Sequence, residues 1–145
     1  MSEGRTSGRT RAVGIVVAVA ALAAAVYAVI SQLSRPAVFD EDDREITVSP
    51  GTHFSIRLKD NPSTGFRWVL ATPEPDPAVL RRTGGHYDAD EPARPGSGGL
   101  RYVDFMARSA GHTEVTLRYC FRCGTPQADE QDENSRTRRF RVTVD

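Results

Sequence analysis

Asn61-Pro62-Ser63-Thr64-Gly65-Phe66 packs several conformationally special residues into one short stretch. Pro62 fixes its own φ and pushes Asn61 towards extended geometry, while Gly65 can take the positive φ that turns a chain back. Ser63 and Thr64 place two small hydroxyls at the tip, each able to donate and to accept. The chemistry open to such a tip is recognition: a narrow, stiff projection loses little entropy when it docks in a partner. The same residue types build ordinary hairpin turns, so a plain turn is the competing reading of this stretch alone. Pro62 also disqualifies Asn61 as a glycosylation acceptor. A second stretch, Gly96-Ser97-Gly98-Gly99, offers backbone unshielded by side chains at Gly96, Gly98 and Gly99. Such backbone can approach a partner closely or simply serve as a flexible connection.

Catalysis and metal binding have no comparable constellation. His53, His86 and His112 are scattered, Gly96-Ser97-Gly98 lacks G-x-S-x-G spacing, and no triad order is readable. Cys120 and Cys123 are the only cysteines, and two sulfurs with distant histidines do not make a zinc site. No βαβ context surrounds them, which argues against a redox C-x-x-C. His86, Asp88, Asp90 and Glu91 lack the spacing of a calcium loop and read as solvated loop, as does most of 84–95. A binding protein without cofactor or metal is expected, and not an enzyme.

Loops of this kind need rigid elements on either side, and the flanking sequence alternates with period two. Ile46 and Val48 form one apolar row, Phe54, Ile56 and Leu58 a second, and Phe66, Trp68 and Leu70 a third. Val103 and Phe105, then Val115, Leu117 and Tyr119, then Phe140, Val142 and Val144 continue the series, and Ala78 to Leu80 offers a possible seventh strand. Gly and Pro punctuate the gaps. Short strands with one apolar face predict an all-β domain folded as a two-sheet sandwich, with Trp68 anchoring its core from a central strand.

The N-terminal part differs in kind. Ala12 to Ile30 holds no charge and no proline. A helix of that length spans roughly 28 Å, close to the hydrocarbon thickness of a bilayer. Arg5, Arg9 and Arg11 precede it, whereas Asp40, Glu41, Asp42 and Asp43 dominate the far side. Basic flanks stay in the cytoplasm, so the expected order is a cytoplasmic tail 1–11, a transmembrane helix 12–30, an acidic linker 31–43 and an exported domain 44–145. A cleaved secretory signal is the alternative, with small-residue sites at Ala23 to Ala28, and it would give a secreted domain instead of a single-pass membrane protein. The whole chain balances 19 basic against 19 acidic residues, and residues 35–145 carry 16 and 18. That balance excludes a nucleic-acid reader, and one small domain excludes a multidomain enzyme or a multi-span transporter.

Export bears on the cysteines, because an oxidising compartment favours a Cys120–Cys123 disulfide over two free thiols. Three extended residues span about 10 Å, too far for bridged Cα atoms, so a bond requires a turn here. That turn would present Phe121 and Arg122 at its tip.

Taken together, Asn61-Pro62-Ser63-Thr64-Gly65-Phe66 with Trp68 resembles the N-P-[ST]-T-G-[YF]-x-W signature of chagasin-like inhibitors of papain-type cysteine proteases. Gly96-Ser97-Gly98-Gly99, Phe105, Gly111 and Leu117-Arg118-Tyr119 follow in that family's order, and the resemblance covers about residues 44–144. The family's third motif, R-P-W, is replaced by Phe121, Arg122 and Cys123. The resemblance implies an immunoglobulin-like sandwich, monomeric, whose three loops enter a protease cleft together as a reversible wedge. Asn61 to Phe66, Gly96, Gly98, Gly99, Phe121 and Arg122 would then form the protease-binding face. The reading from another class is an exported adhesive or assembly sandwich that uses the same loops on a non-protease partner.

Overall fold

In the computed structural model, residues 7–33 and 36–145 are described, and the chain divides into two compact units after Arg35. The first is helix α1, Ser7–Leu33. It extends beyond the expected apolar block at both ends, so Arg9 and Arg11 of the predicted tail are helical; residues 1–6 of that tail and Ser34 and Arg35 of the linker lie outside the described residues. Gly8–Gln32 is long and apolar enough to cross a membrane. Val16, Leu22 and Tyr27 are exposed, like the other large apolar side chains between Val13 and Ile30. A helix apolar on every face is stable where something apolar surrounds it, which a bilayer supplies.

The second unit contains eight strands: β1 Ala37–Asp40, β2 Glu45–Val48, β3 His53–Asp60, β4 Phe66–Leu70, β5 Leu80–Ala89, β6 Gly99–Ala107, β7 Gly111–Phe121 and β8 Arg136–Val144. They form two four-stranded sheets, ordered β1-β3-β6-β5 and β2-β8-β7-β4. β1 runs parallel to β3 and β2 parallel to β8, and the other pairs are antiparallel. The alternating apolar rows meet between the sheets as expected: Phe54, Ile56, Leu58 and Phe105 face Leu117, Phe140 and Val142, all essentially excluded from water. Each such side chain contributes about 1.5–3 kcal/mol by burial. Phe54 stacks on Phe105 with centroids 5.6 Å apart.

Four expectations need correction. The acidic linker 31–43 is partly strand: β1 occupies Ala37–Asp40, Phe39 sets its ring edge against Phe54, and Arg57 of β3 donates to Asp40 at 2.7 Å. The guanidinium holds the Asp40 carboxyl below its ordinary range, and the carboxylate in turn raises the arginine. The solvated loop predicted from Gly84 is strand through Ala89, so His86 and Asp88 belong to β5, while Asp90 and Glu91 do lie in the following loop. Of Ala78 to Leu80, only Leu80 is strand. Finally, Trp68 sits on β4, an edge strand, and is half-buried; its indole Nε1 donates to the Lys59 carbonyl at 2.9 Å.

Candidate functional site

The loop between β3 and β4 folds as the residue types require. Asn61 is extended (φ −138°, ψ 88°) ahead of Pro62, Pro62–Thr64 make one 3-10 turn, and Gly65 closes it at φ 82°. The Asn61 carbonyl accepts from the Thr64 amide at 3.1 Å and from the Thr64 hydroxyl at 2.7 Å, and Ser63 Oγ donates to Asn61 Oδ1 at 2.6 Å. Both hydroxyls therefore donate within the loop and brace it. Pro62, Ser63 and Thr64 are exposed at the tip.

Asn61 also reaches outside its loop. Its side-chain Nδ2 donates to the Gly96 carbonyl at 3.0 Å, tying the first loop to the second. Its backbone N–H donates to Tyr119 Oη at 3.3 Å, tying the loop to β7. The second loop, between β5 and β6, is folded on itself, with Ser97 Oγ donating to the Arg94 carbonyl at 2.8 Å and the Asp90 amide donating to Gly98 at 3.0 Å. Gly96 is exposed and Gly98 half-buried. Gly99 departs from expectation. It is buried at the start of β6, and a Cβ there would collide with the Asp88 carbonyl, so this glycine serves sheet packing and offers no accessible backbone.

The third loop leaves β7 after Phe121. Cys120 and Cys123 are bonded, with Cα atoms 5.3 Å apart, and both are buried. Arg122 is exposed in the left-handed region at φ 52°, with its guanidinium 5.1 Å from the Phe121 ring centroid. The Arg122 amide donates to the Gly65 carbonyl at 2.9 Å, so this loop too is fastened to the first. Phe121 was expected at the tip. Instead it is half-buried beneath the first loop, 5.7 Å from Phe66, because Gly65 leaves a space that the ring fills. A Cβ on Gly65 would stand 2.7 Å from that ring, so any other residue would push the ring aside as well as strain the positive φ.

Below the loops lies a layer that sequence reasoning did not assign. Tyr119 stands 5.2 Å from Phe66 and 5.0 Å from Trp68, and the Arg136 guanidinium caps it at 4.8 Å. Alongside, the buried Asp60 carboxylate accepts from Arg101 Nε at 2.9 Å. Arg101 covers the ring of Tyr87 at 5.0 Å, and burial, aided by the carboxylates of Asp60 and Asp90, pushes the Tyr87 hydroxyl above its ordinary value. Tyr119 fell within the motif match, but nothing in its spacing signals that its hydroxyl serves Asn61. No group of three or more His, Cys, Asp or Glu among the described residues is placed to hold a metal ion.

Comparison with known proteins bears on the fold and the family. The chagasin family peptidase inhibitor profile matches residues 47–144. No curated protein sequence matches the chain. Among solved structures, that of Amebosin is similar at 29% identity and TM-score 0.58, covering 77% of this chain and 99% of that one. A cysteine protease inhibitor from Entamoeba histolytica, EhICP2, shares the fold at 18% identity and TM-score 0.59, covering 75% and 95%. PbICP-C, solved in complex with falcipain-2, shares it at 14% identity and TM-score 0.51, covering 75% and 99%. The chain belongs to the chagasin family of peptidase inhibitors.

Proposed function

We propose that this protein inhibits papain-type cysteine proteases reversibly, inserting three loops as one wedge, and that α1 tethers it to a membrane with the sandwich outside. The observation that carries the reading is the direct bonding of the first loop to both others, through Asn61 to Gly96 and through Gly65 to Arg122. A wedge assembled before binding loses little conformational entropy on docking. Its leading residues are curled in a 3-10 turn, not extended, so no peptide bond is offered in the geometry a nucleophile needs. Asn61, Pro62, Ser63, Thr64 and Gly65 lead the wedge, Gly96 and Gly98 flank it on one side, and Arg122 flanks it on the other with Phe121 and Phe66 as its base. A protein built this way binds and does not catalyse.

The altered third loop favours one second reading, an exported adhesive sandwich, since Phe121, Arg122 and Cys123 stand where the family carries R-P-W. Titration of the full chain in detergent micelles against a panel of papain-like proteases separates the two. The inhibitor reading expects at least one enzyme to be inhibited reversibly with the chain recovered uncut. No inhibition across the panel at micromolar protein removes it.

A further inference from the structure

A groove opens beside the wedge where neither sheet covers the other. One wall is Arg67 and Trp68 of β4, the other is Arg82, Gly84 and Gly85 of β5, and Pro62 of the first loop also lines it. It exists for a backbone reason. β4 pairs only with β7 and β5 only with β6, so both are edge strands, and the register of β5 slips between Arg82 and Gly84. Beyond the slip, Gly84 and Gly85 bring no side chain to fill the space, and at Gly85 the Tyr102 carbonyl leaves no room for one.

The charge of this groove is one-sided. Three arginines line it and no acidic residue does, in a domain that is otherwise slightly acidic. Arg101 is already engaged by Asp60. Arg67 and Arg82 are exposed and come from opposite walls, and neither side chain has a hydrogen-bond or ion-pair partner among the described residues. A groove lined by arginines and by no acidic residue suits a carboxylate, which a guanidinium can hold in a planar, two-pronged contact. The open edge of β4 adds unpaired backbone groups suited to an extended chain.

We infer that this groove receives an extended, carboxylate-bearing segment from the rim of the protease that holds the wedge. The inference rests on the inhibitor reading. What favours the protease over a separate acidic partner is continuity: Pro62 and Gly65 line the groove and also belong to the loop that enters the cleft, so an enzyme seated on that loop brings its own rim to Arg67 and Arg82. Opposite charge at such a flanking contact acts mainly on association rate and is weakened by salt.

The test uses the full chain in detergent micelles and every panel protease that it inhibits, with association rates measured between about 20 and about 300 mM NaCl. Arg67→Glu with Arg82→Glu is expected to slow association roughly tenfold at low salt, with the gap closing as salt rises. Arg67→Gln with Arg82→Gln keeps the test valid should the reversed pair fold poorly, with a smaller loss in the same direction. Arg81→Glu, on β5 but outside the groove, is expected to leave the rate within about twofold. Normal rates and salt slopes for the groove variants against every inhibited enzyme overturn the inference and leave the inhibitor reading intact. Equal slowing by Arg81→Glu also overturns it, since the effect would belong to overall charge. A soluble poly-glutamate hexapeptide that binds the wild-type groove without affecting inhibition assigns the groove to a separate partner and overturns it too. Failure of the wild-type chain to inhibit any enzyme is a different result, and it removes the parent reading.

Discussion

Asn61 fastens the first loop through three of its groups: its amide nitrogen serves the second loop, its amide oxygen takes Ser63, and its backbone N–H uses the Tyr119 hydroxyl. Neutral hydrogen bonds of this kind contribute about 1 kcal/mol each. Asn61→Ala removes two of them from the loops and nothing from the core, so inhibition is expected to weaken by roughly thirtyfold, the equivalent of about 2 kcal/mol. Tyr119→Phe keeps the ring against Phe66 and Trp68 and deletes only the hydroxyl, so a smaller loss of about fivefold is expected. Inhibition constants and thermal melts on the same samples check both, and a fallen melting temperature with unchanged inhibition would make these contacts purely structural. Much of the site was legible at this scale, because Pro62 and Gly65 dictate backbone geometry and that geometry appears as read. Phe121 was not, since its position depends on the space left by Gly65, a residue 56 places earlier in the chain, and no local pattern encodes that.

Strands read correctly from sequence are those with one face in the core. Six alternating rows lie on strands β2, β3, β4, β6, β7 and β8. β5 escaped because it is an edge strand running Arg81, Arg82, Thr83, Gly84, Gly85, His86, and most of its residues never enter the apolar layer. Edge strands are commonly polar for good reason, since charge and bulges discourage pairing with another chain. β1 escaped because its four residues are too short for periodicity to register and adjoin the acidic run Asp40 to Asp43. That misreading has a measurable consequence. Deleting residues 1–35 is expected to leave a folded sandwich, whereas deleting 1–43 removes Phe39 from Phe54 and Asp40 from Arg57. The half-buried ring is worth about 2 kcal/mol, and the exposed ion pair adds little. A drop in melting temperature on the order of 10 °C is therefore expected for the longer deletion relative to the shorter. Equal melting temperatures for the two truncated chains would mean that β1 contributes nothing and that the linker reading was right after all.

At the scale of the whole molecule, the direction of β1 matters. Ala37 pairs with Phe54 and Asp40 with Arg57, so the chain enters the sandwich at the pole opposite Asp60 and Asn61, and β1 runs towards the loops. The start of β1 and the three loops thus occupy different ends of the domain. The orientation proposed above rests on the flanks: Arg5, Arg9 and Arg11 precede the apolar run, and basic flanks usually stay in the cytoplasm. Reversing the orientation would require translocating those arginines and retaining an acidic stretch, against the usual bias. The expected result, in intact producing cells, is that added protease removes a tag fused after Asp145 and spares a tag fused before Met1. Mass analysis of the membrane fraction is expected to show the chain uncut, because its apolar run exceeds the roughly 7–15 residues of a signal core. A shortened chain in the medium lacking the residues up to about Ala28 would establish cleavage, and the inhibitor would then act as a free domain. Protection of the C-terminal tag with loss of the N-terminal one would place the sandwich in the cytoplasm, where a buried disulfide between Cys120 and Cys123 is not expected to form.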